Sequence, residues 1–299
     1  MPRTAEKYLR PDIIQQVRRL DLKARFIVEG FISGLHRSPY QGFSVEFSEH
    51  RTYVSGDDIR QIDWNVYAKT DRYYIRKYEA ETNLQAYLLI DCSGSMDFAT
   101  AGHMTKLDYA ISLAAALGYM MVHQQDAVGL MAFNEFSRRF LPPRCKRSHL
   151  TNIIATLAQT RPGGKTQLAQ AIHEVARRVA RRGLMILFTD LLDDQPAVID
   201  ALHHLKFRGH DLIIFQVLDH SELTLDFEGS VRFHEPETGQ EVQTDPQAIR
   251  QGYLKELHQF IAEYRRACQN VRADLVMVDN AMTFDKALIQ YLIQRQGRF

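Results

Sequence analysis

From residue 84 onward, unbroken apolar runs alternate with amphipathic stretches of helical period. The runs at 86–90, 127–133, 184–189 and 212–218 read as strands. Their cores, Leu88-Leu89-Ile90, Leu184-Met185-Ile186-Leu187-Phe188 and Leu212-Ile213-Ile214-Phe215, lack in/out alternation, as strands of a parallel sheet buried on both faces do. Helices are predicted at 107–123, 148–160, 168–181 and 196–207, with a short strand at 138–141. Strands alternating with helices of this length require right-handed crossovers. The expected fold class is therefore α/β, a doubly wound and mostly parallel sheet.

The pattern changes on both sides of that regular stretch. Ile13, Val17, Leu20, Ala24, Ile27 and Phe31 recur at helical spacing, predicting a helix over 12–33 with Asp12 as N-cap and Gly34 as its stop. Short strands are expected at 45–47 and 52–54, a short helix capped by Asp57 through Ile59 and Ile62, and a strand at 73–78. Between Ser221 and Thr244 the composition turns polar, and Pro236-Glu237-Thr238-Gly239 reads as the turn of a small β-hairpin insertion over about 221–245. Asp245 and Pro246 then open a helix, as N-cap and first residue, that runs to about Cys268. A last strand is expected at 274–278 and a last helix capped by Thr283. Without repeats or an obvious linker, the expected division is 1–83, an N-terminal segment packed on the main domain, and 84–299, the α/β domain.

Composition is that of an ordinary globular protein, with 45% hydrophobic and 24% charged residues. A net charge of +1 supplies no strong field toward nucleic acid or an anionic membrane surface. Cys92, Cys145 and Cys268 are too scattered for a disulfide framework or a zinc site, so reduced thiols are expected. The opening MPRTAEKYLRPD lacks the apolar core of a secretory signal. The apolar runs fall far short of the ~20 residues a membrane helix needs. A soluble, cytoplasmic protein without membrane insertion is expected.

Candidate chemistry gathers where doubly wound sheets bind ligands, outside the carboxyl ends of the strands. The strand at 86–90 runs into Asp91-Cys92-Ser93-Gly94-Ser95, and the strand at 184–189 runs into Asp190. Pro162-Gly163-Gly164-Lys165-Thr166 precedes the helix that starts at Leu168. Asp91, Ser93, Ser95, Thr166 and Asp190 form an all-oxygen set suited to Mg²⁺, Mn²⁺ or Ca²⁺ rather than zinc. In a turn leaving a strand, the alternate residues Asp91, Ser93 and Ser95 can face one side, while Gly94 lets the backbone curl.

Asp-x-Ser-x-Ser, a Thr after a Gly-Gly loop and a later strand-end Asp together resemble the metal-ion-dependent adhesion site of von Willebrand factor A (vWA) and integrin I domains. The resemblance implies that Ser93, Ser95 and Thr166 coordinate through their hydroxyls, that Asp91 and Asp190 act directly or through water, and that a partner's carboxylate completes the shell. The chain departs at Leu191, where those domains commonly carry Gly. GLHRSPYQGFSVEF, EHRTYVSGDDIRQIDWNVYAKT and IRKYEAETN, then LLIDCSGSM and the turn at Glu237-Thr238-Gly239, resemble the bacterial family labelled domain of unknown function 58. Its members are typically encoded beside MoxR-type AAA+ ATPases. That resemblance implies such an ATPase as partner, in chaperone-like or complex-assembly work.

Rival chemistries fit less well. A Mg²⁺-dependent phosphohydrolase could use Asp91 as nucleophile, but dehalogenase-like phosphatases place a second Asp where this chain has Ser93. Gly164-Lys165-Thr166 lacks the earlier Gly of a P-loop, since Gln159 stands there, and no strand precedes it. Trp64, Tyr67, Tyr73 and Tyr74 among Arg60, Lys69, Arg72 and Arg76 could stack bases, but Asp57, Asp58, Asp63 and Asp71 interrupt them. A packed aromatic cluster without nucleic acid is expected. Asp57, Asp58, Arg60, Asp63 and Trp64 read first as a buried ion-pair and cap network, with a second partner surface as the alternative. His203 and His204 read as surface residues of a helix.

Overall fold

The computed structural model describes residues 45–54, 62–80, 85–123, 125–136, 138–282, 284 and 287. Among them the chain divides into two compact units, one within 45–80 and one from 85 onward. The helix expected over 12–33 lies outside the described residues, as do Asp57, Asp58, Arg60 and most of the helix expected after Met282.

The smaller unit holds β1 (Val45–Thr52), α1 (Trp64–Thr70) and β2 (Tyr74–Ala80). The two short strands expected here are one strand, paired antiparallel with β2 and irregular only between Phe47 and Glu49. Its polar middle stays in the ladder because Glu49, His50 and Arg51 are registered with Lys77, Arg76 and Ile75, a partnership with no local signature. Ile62 is not helical, contrary to expectation; it sits in an isolated bridge, and the Asp63 amide after it donates to the Tyr74 carbonyl at 2.8 Å. The helix starts one residue later, where buried Asp63 accepts from the Val66 amide through Oδ1 at 3.3 Å. Tyr67 and Tyr73 stack at 4.6 Å and Trp64 stands edge-on to Tyr67 at 6.1 Å, so these aromatics pack on one another. Trp64 remains 54% exposed.

The larger unit runs through β3 (Gln85–Asp91), a 3-10 turn (Gly94–Asp97), α2 (Lys106–His123), β4 (Ala127–Phe133), β5 (Arg138–Arg144) and α3 (Arg147–Gln159). It continues with α4 (Leu168–Arg178), β6 (Leu184–Thr189), α5 (Gln195–Phe207), β7 (Asp211–Leu218) and α6 (His220–Thr224). The hairpin β8 (Val231–His234) and β9 (Glu241–Thr244), then α7 (Pro246–Asn270) and β10 (Asp274–Asp279), complete it. The main sheet has the order β10-β7-β6-β3-β4-β5, with β5 the antiparallel edge and every other pairing parallel. This is the strand order of doubly wound nucleotide-binding sheets, and its direction of winding reverses between β3 and β6. The mostly parallel α/β sheet is therefore as expected.

In the larger unit β5 and α4 depart most from their expected bounds, and α6 is a helix that was not expected. β5 extends through Pro142 and Pro143, which an edge strand tolerates because one side of its ladder is unpaired. α4 stops at Arg178 because Val179 takes extended angles and turns into the core. The polar insertion opens with α6 before the hairpin. There the Asp219 side chain accepts from Ser221 N, and Glu222 reaches back to Asp219 N, forming a capping box. Among the described residues no helix is long and apolar enough to cross a membrane.

Candidate metal centre

β3 and β6 deliver Asp91 and Asp190 side by side at the switch point, both fully buried. The Ser93 amide donates to Asp91 Oδ1 at 3.0 Å, and the Thr189 hydroxyl donates to Asp91 Oδ2 at 2.7 Å. The turn after β3 brings the Ser93 and Ser95 hydroxyl oxygens to 3.1 Å. Two backbone bonds stitch the Gly-rich loop to this turn: Gly94 N to Gly164 O at 2.9 Å, and Gly163 N to Cys92 O at 3.0 Å. Thr166, also buried, follows this loop.

Glycine is needed in one of these loops and not in the other. Gly164 has φ +75°, and a Cβ there would stand 2.5 Å from Phe136 Cε2. Gly94, expected to be required for a tight curl, is outside the left-handed region, and a Cβ on it would meet its neighbours at an ordinary 3.4 Å. Leu191, the departure from the vWA pattern, has φ +65° while its side chain is fully buried in the core. The loop therefore keeps a glycine-like backbone around an apolar side chain. Leu191 N donates to Thr189 Oγ1 at 3.1 Å, and its carbonyl accepts from Tyr264 OH at 3.2 Å.

Electrostatics single out Asp91. Its burial, then the charge of Asp190, push its carboxyl up to about 7, against the lowering bonds from Ser93 and Thr189. Asp190 has a cation of its own. Lys106, also without exposure, places Nζ 2.9 Å from Asp190 Oδ2 and 2.7 Å from Glu222 Oε1. These two carboxylates raise the lysine above its usual range despite its burial. Among the described residues no cationic side chain pairs with Asp91.

The donor set fits a hard cation. Cis ligands about 2.1 Å from Mg²⁺ stand about 3.0 Å apart, which matches the Ser93–Ser95 oxygen spacing of 3.1 Å. Each Asp91 oxygen accepts one hydrogen bond, and a carboxylate oxygen has capacity for another partner. Among the described residues no cluster of three or more His, Cys, Asp or Glu could hold a metal by itself, so hydroxyls must supply much of any shell.

Sequence reasoning missed four members of this neighbourhood. Thr189 directly precedes Asp190 and was legible as a strand-end hydroxyl. Lys106, Glu222 and Glu237 arrive from 84, 116 and 71 residues away from the groups they contact, and nothing local marks them. His203 is exposed as expected, whereas half-buried His204 shares a 2.9 Å contact between Nδ1 atoms with His173.

Uncharacterized proteins of Mycobacterium tuberculosis and Mycobacterium bovis are 27% identical over 293 residues, 96% of this chain and 90% of theirs. Among solved structures, BatB from Bacteroides thetaiotaomicron aligns with TM-score 0.42 and 16% identity over 72% of this chain and 100% of its own. An aerotolerance-related membrane protein from Bacteroides fragilis aligns at 0.41 and 20%, over 71% and 99%. The SpRpn10 VWA domain aligns at 0.41 and 12%, over 70% and 95%. The family model described as protein of unknown function DUF58 matches residues 49–261, and this chain belongs to that family.

Proposed function

We propose that this chain is a non-enzymatic vWA-type interaction module that binds a divalent cation and uses it to grip a partner protein. Asp91, Ser93, Ser95, Thr166 and Asp190 hold the cation, Mg²⁺ first, with Mn²⁺ or Ca²⁺ as substitutes. The partner is a MoxR-type AAA+ ATPase that presents an acidic side chain, and the work is chaperone-like or complex assembly in the cytoplasm.

The carrying observation is Asp91, a fully buried carboxylate beside a second one, with three hydroxyls gathered from two loops and no cationic side chain paired to it among the described residues. Buried charge persists when it is paired or coordinates a metal. When bound, the cation supplies concentrated positive charge with an exchangeable position for an outside oxygen. The chain's own residues do the rest. Ser93, Ser95 and Thr166 offer neutral donors, Thr189 fixes the Asp91 carboxylate, and Lys106 holds Asp190 in place. Both Asp91 oxygens already accept hydrogen bonds at zero exposure, a poor setting for attack on an incoming phosphate ester.

Titration calorimetry with Mg²⁺ and Mn²⁺, and capture of a purified MoxR-type ATPase on immobilised protein, test the reading. Asp91→Ala and EDTA are each expected to weaken capture by at least roughly tenfold. Capture indifferent to both, or phosphate-ester turnover abolished by Asp91→Ala, would sink it.

A further inference from the structure

Glu237, at the tip of the β8–β9 hairpin, reaches the same cluster from outside the five residues assigned above. Its Oε1 accepts from the Thr166 hydroxyl at 2.7 Å and lies 3.5 Å from the Ser95 amide, while Oε2 accepts from the Thr166 amide at 3.1 Å. The turn is shaped to present this side chain. Gly239 takes φ +72° and donates to the Glu235 carbonyl at 2.8 Å, and the Glu237 amide donates to Glu235 Oε1 at 3.1 Å. The tip rests on the serine turn: Glu237 Cγ and the Pro236 carbonyl both lie 3.4 Å from where a Gly94 Cβ would be.

Electrostatics make this placement informative. A carboxylate is brought to the hydroxyl side of the site, against Thr166 and Ser95, and among the described residues no cation pairs with it. Lys106 is taken by Asp190 and Glu222. The buried like charges of Asp91 and Asp190 repel unless a cation is shared between them. Of the hairpin arms, β9 is mostly exposed and Val242 is 59% exposed, while on β8 Val231 and Phe233 are half-buried, Phe233 edge-on to Phe227 at 5.6 Å. At the tip itself, the Glu237 carboxylate makes the hydrogen bonds to the Thr166 loop, and the half-buried apolar side chains sit further down on β8.

We propose that Glu237 is the chain's own acidic ligand, filling the exchangeable coordination position that a partner's carboxylate needs. Partner capture then requires displacement of the hairpin tip. The proposal rests on the metal-site reading above.

Mn²⁺ alone is the probe. Its free concentration is followed by electron paramagnetic resonance, the waters on the bound ion by proton relaxation, and access for an outside carboxylate by titration with acetate. Glu237→Ala is expected to bind Mn²⁺ roughly tenfold more weakly, to raise the relaxivity of the bound ion, and to take acetate roughly tenfold more tightly than wild type. Glu237→Gln, which retains an acceptor oxygen, is expected to move all three readings the same way, with circular dichroism unchanged. Variants matching wild type in all three would overturn the proposal and leave the metal site standing. A wild-type chain that holds no Mn²⁺ would overturn both.

Discussion

At Leu191 two residue-level forces pull in opposite directions. A φ of +65° costs an L-residue about 1 kcal/mol, while burying a leucine is worth about 2–3 kcal/mol. Because the side chain lies in the core with no exposure, burial outweighs strain. Leu191→Gly is therefore expected to lower stability by about 2 kcal/mol in urea unfolding. A midpoint that rises would show that the strain is the larger effect. Lys106 poses a sharper case. Lys106→Met leaves Asp190 buried without its cation, a loss of about 3–5 kcal/mol. Added Mg²⁺ is expected to raise the melting temperature of this variant more than that of wild type, read by calorimetry with and without the ion. An equal shift in both would mean the ion does not sense Asp190.

The loops bearing the candidate ligands are elements whose shape depends on very few positions. In the Gly-rich loop the left-handed Gly164 sets the path to Thr166, with the exposed Phe136 ring close above it. Phe136 can swing away, but the backbone cost of about 1 kcal/mol stays. Gly164→Ala is expected to weaken Mn²⁺ binding severalfold, since Thr166 moves with the loop, whereas Gly94→Ala should stay near wild type. Titration of both variants checks the contrast, and equal losses would show the serine turn to be as constrained as the loop. The sheet elements behave differently. β6 is buried along its whole length, so its register with β3 is held by packing on both faces.

At the scale of the molecule, acid stability should depend on Asp219, which ties α6 to the loop before α2 and to the chain after β10. Its carboxylate accepts from the Thr100 amide and hydroxyl, the Ser221 amide and hydroxyl, and Asn280 Nδ2. Burial pushes its carboxyl up, but the bonds from Thr100, Asn280 and Ser221 outweigh that and hold it well below the usual carboxylate range. The unfolded chain then takes up this proton at higher pH than the folded one. The stabilisation is complete above about pH 4 and is lost as pH falls toward the depressed folded value. Unfolding free energies between about pH 2 and 7 should therefore fall on the acid side for wild type. Asp219→Asn should show a shallower acid slope, and parallel slopes would remove Asp219 as the cause.

Much of this protein is legible in its residue order. Apolar runs without alternation mark β3, β4, β6 and β7, since strands buried on both faces need no polar side. Asp91, Ser93, Ser95, Thr166 and Asp190 are also visible there, because each sits at the end of such a run or beside a glycine pair. Other features were open to error for a physical reason. The bridge at Ile62 and the continuous β1 depend on hydrogen bonds to a distant strand. The glycine-like backbone at Leu191 is held by Thr189 and by Tyr264, 73 residues away. Lys106, Glu222 and Glu237 reach the centre only once the sheet has wound, because their partners lie in other loops. Local periodicity and strand-end chemistry follow from near neighbours along the chain. Which charges share one buried space is decided only when packing brings distant segments together.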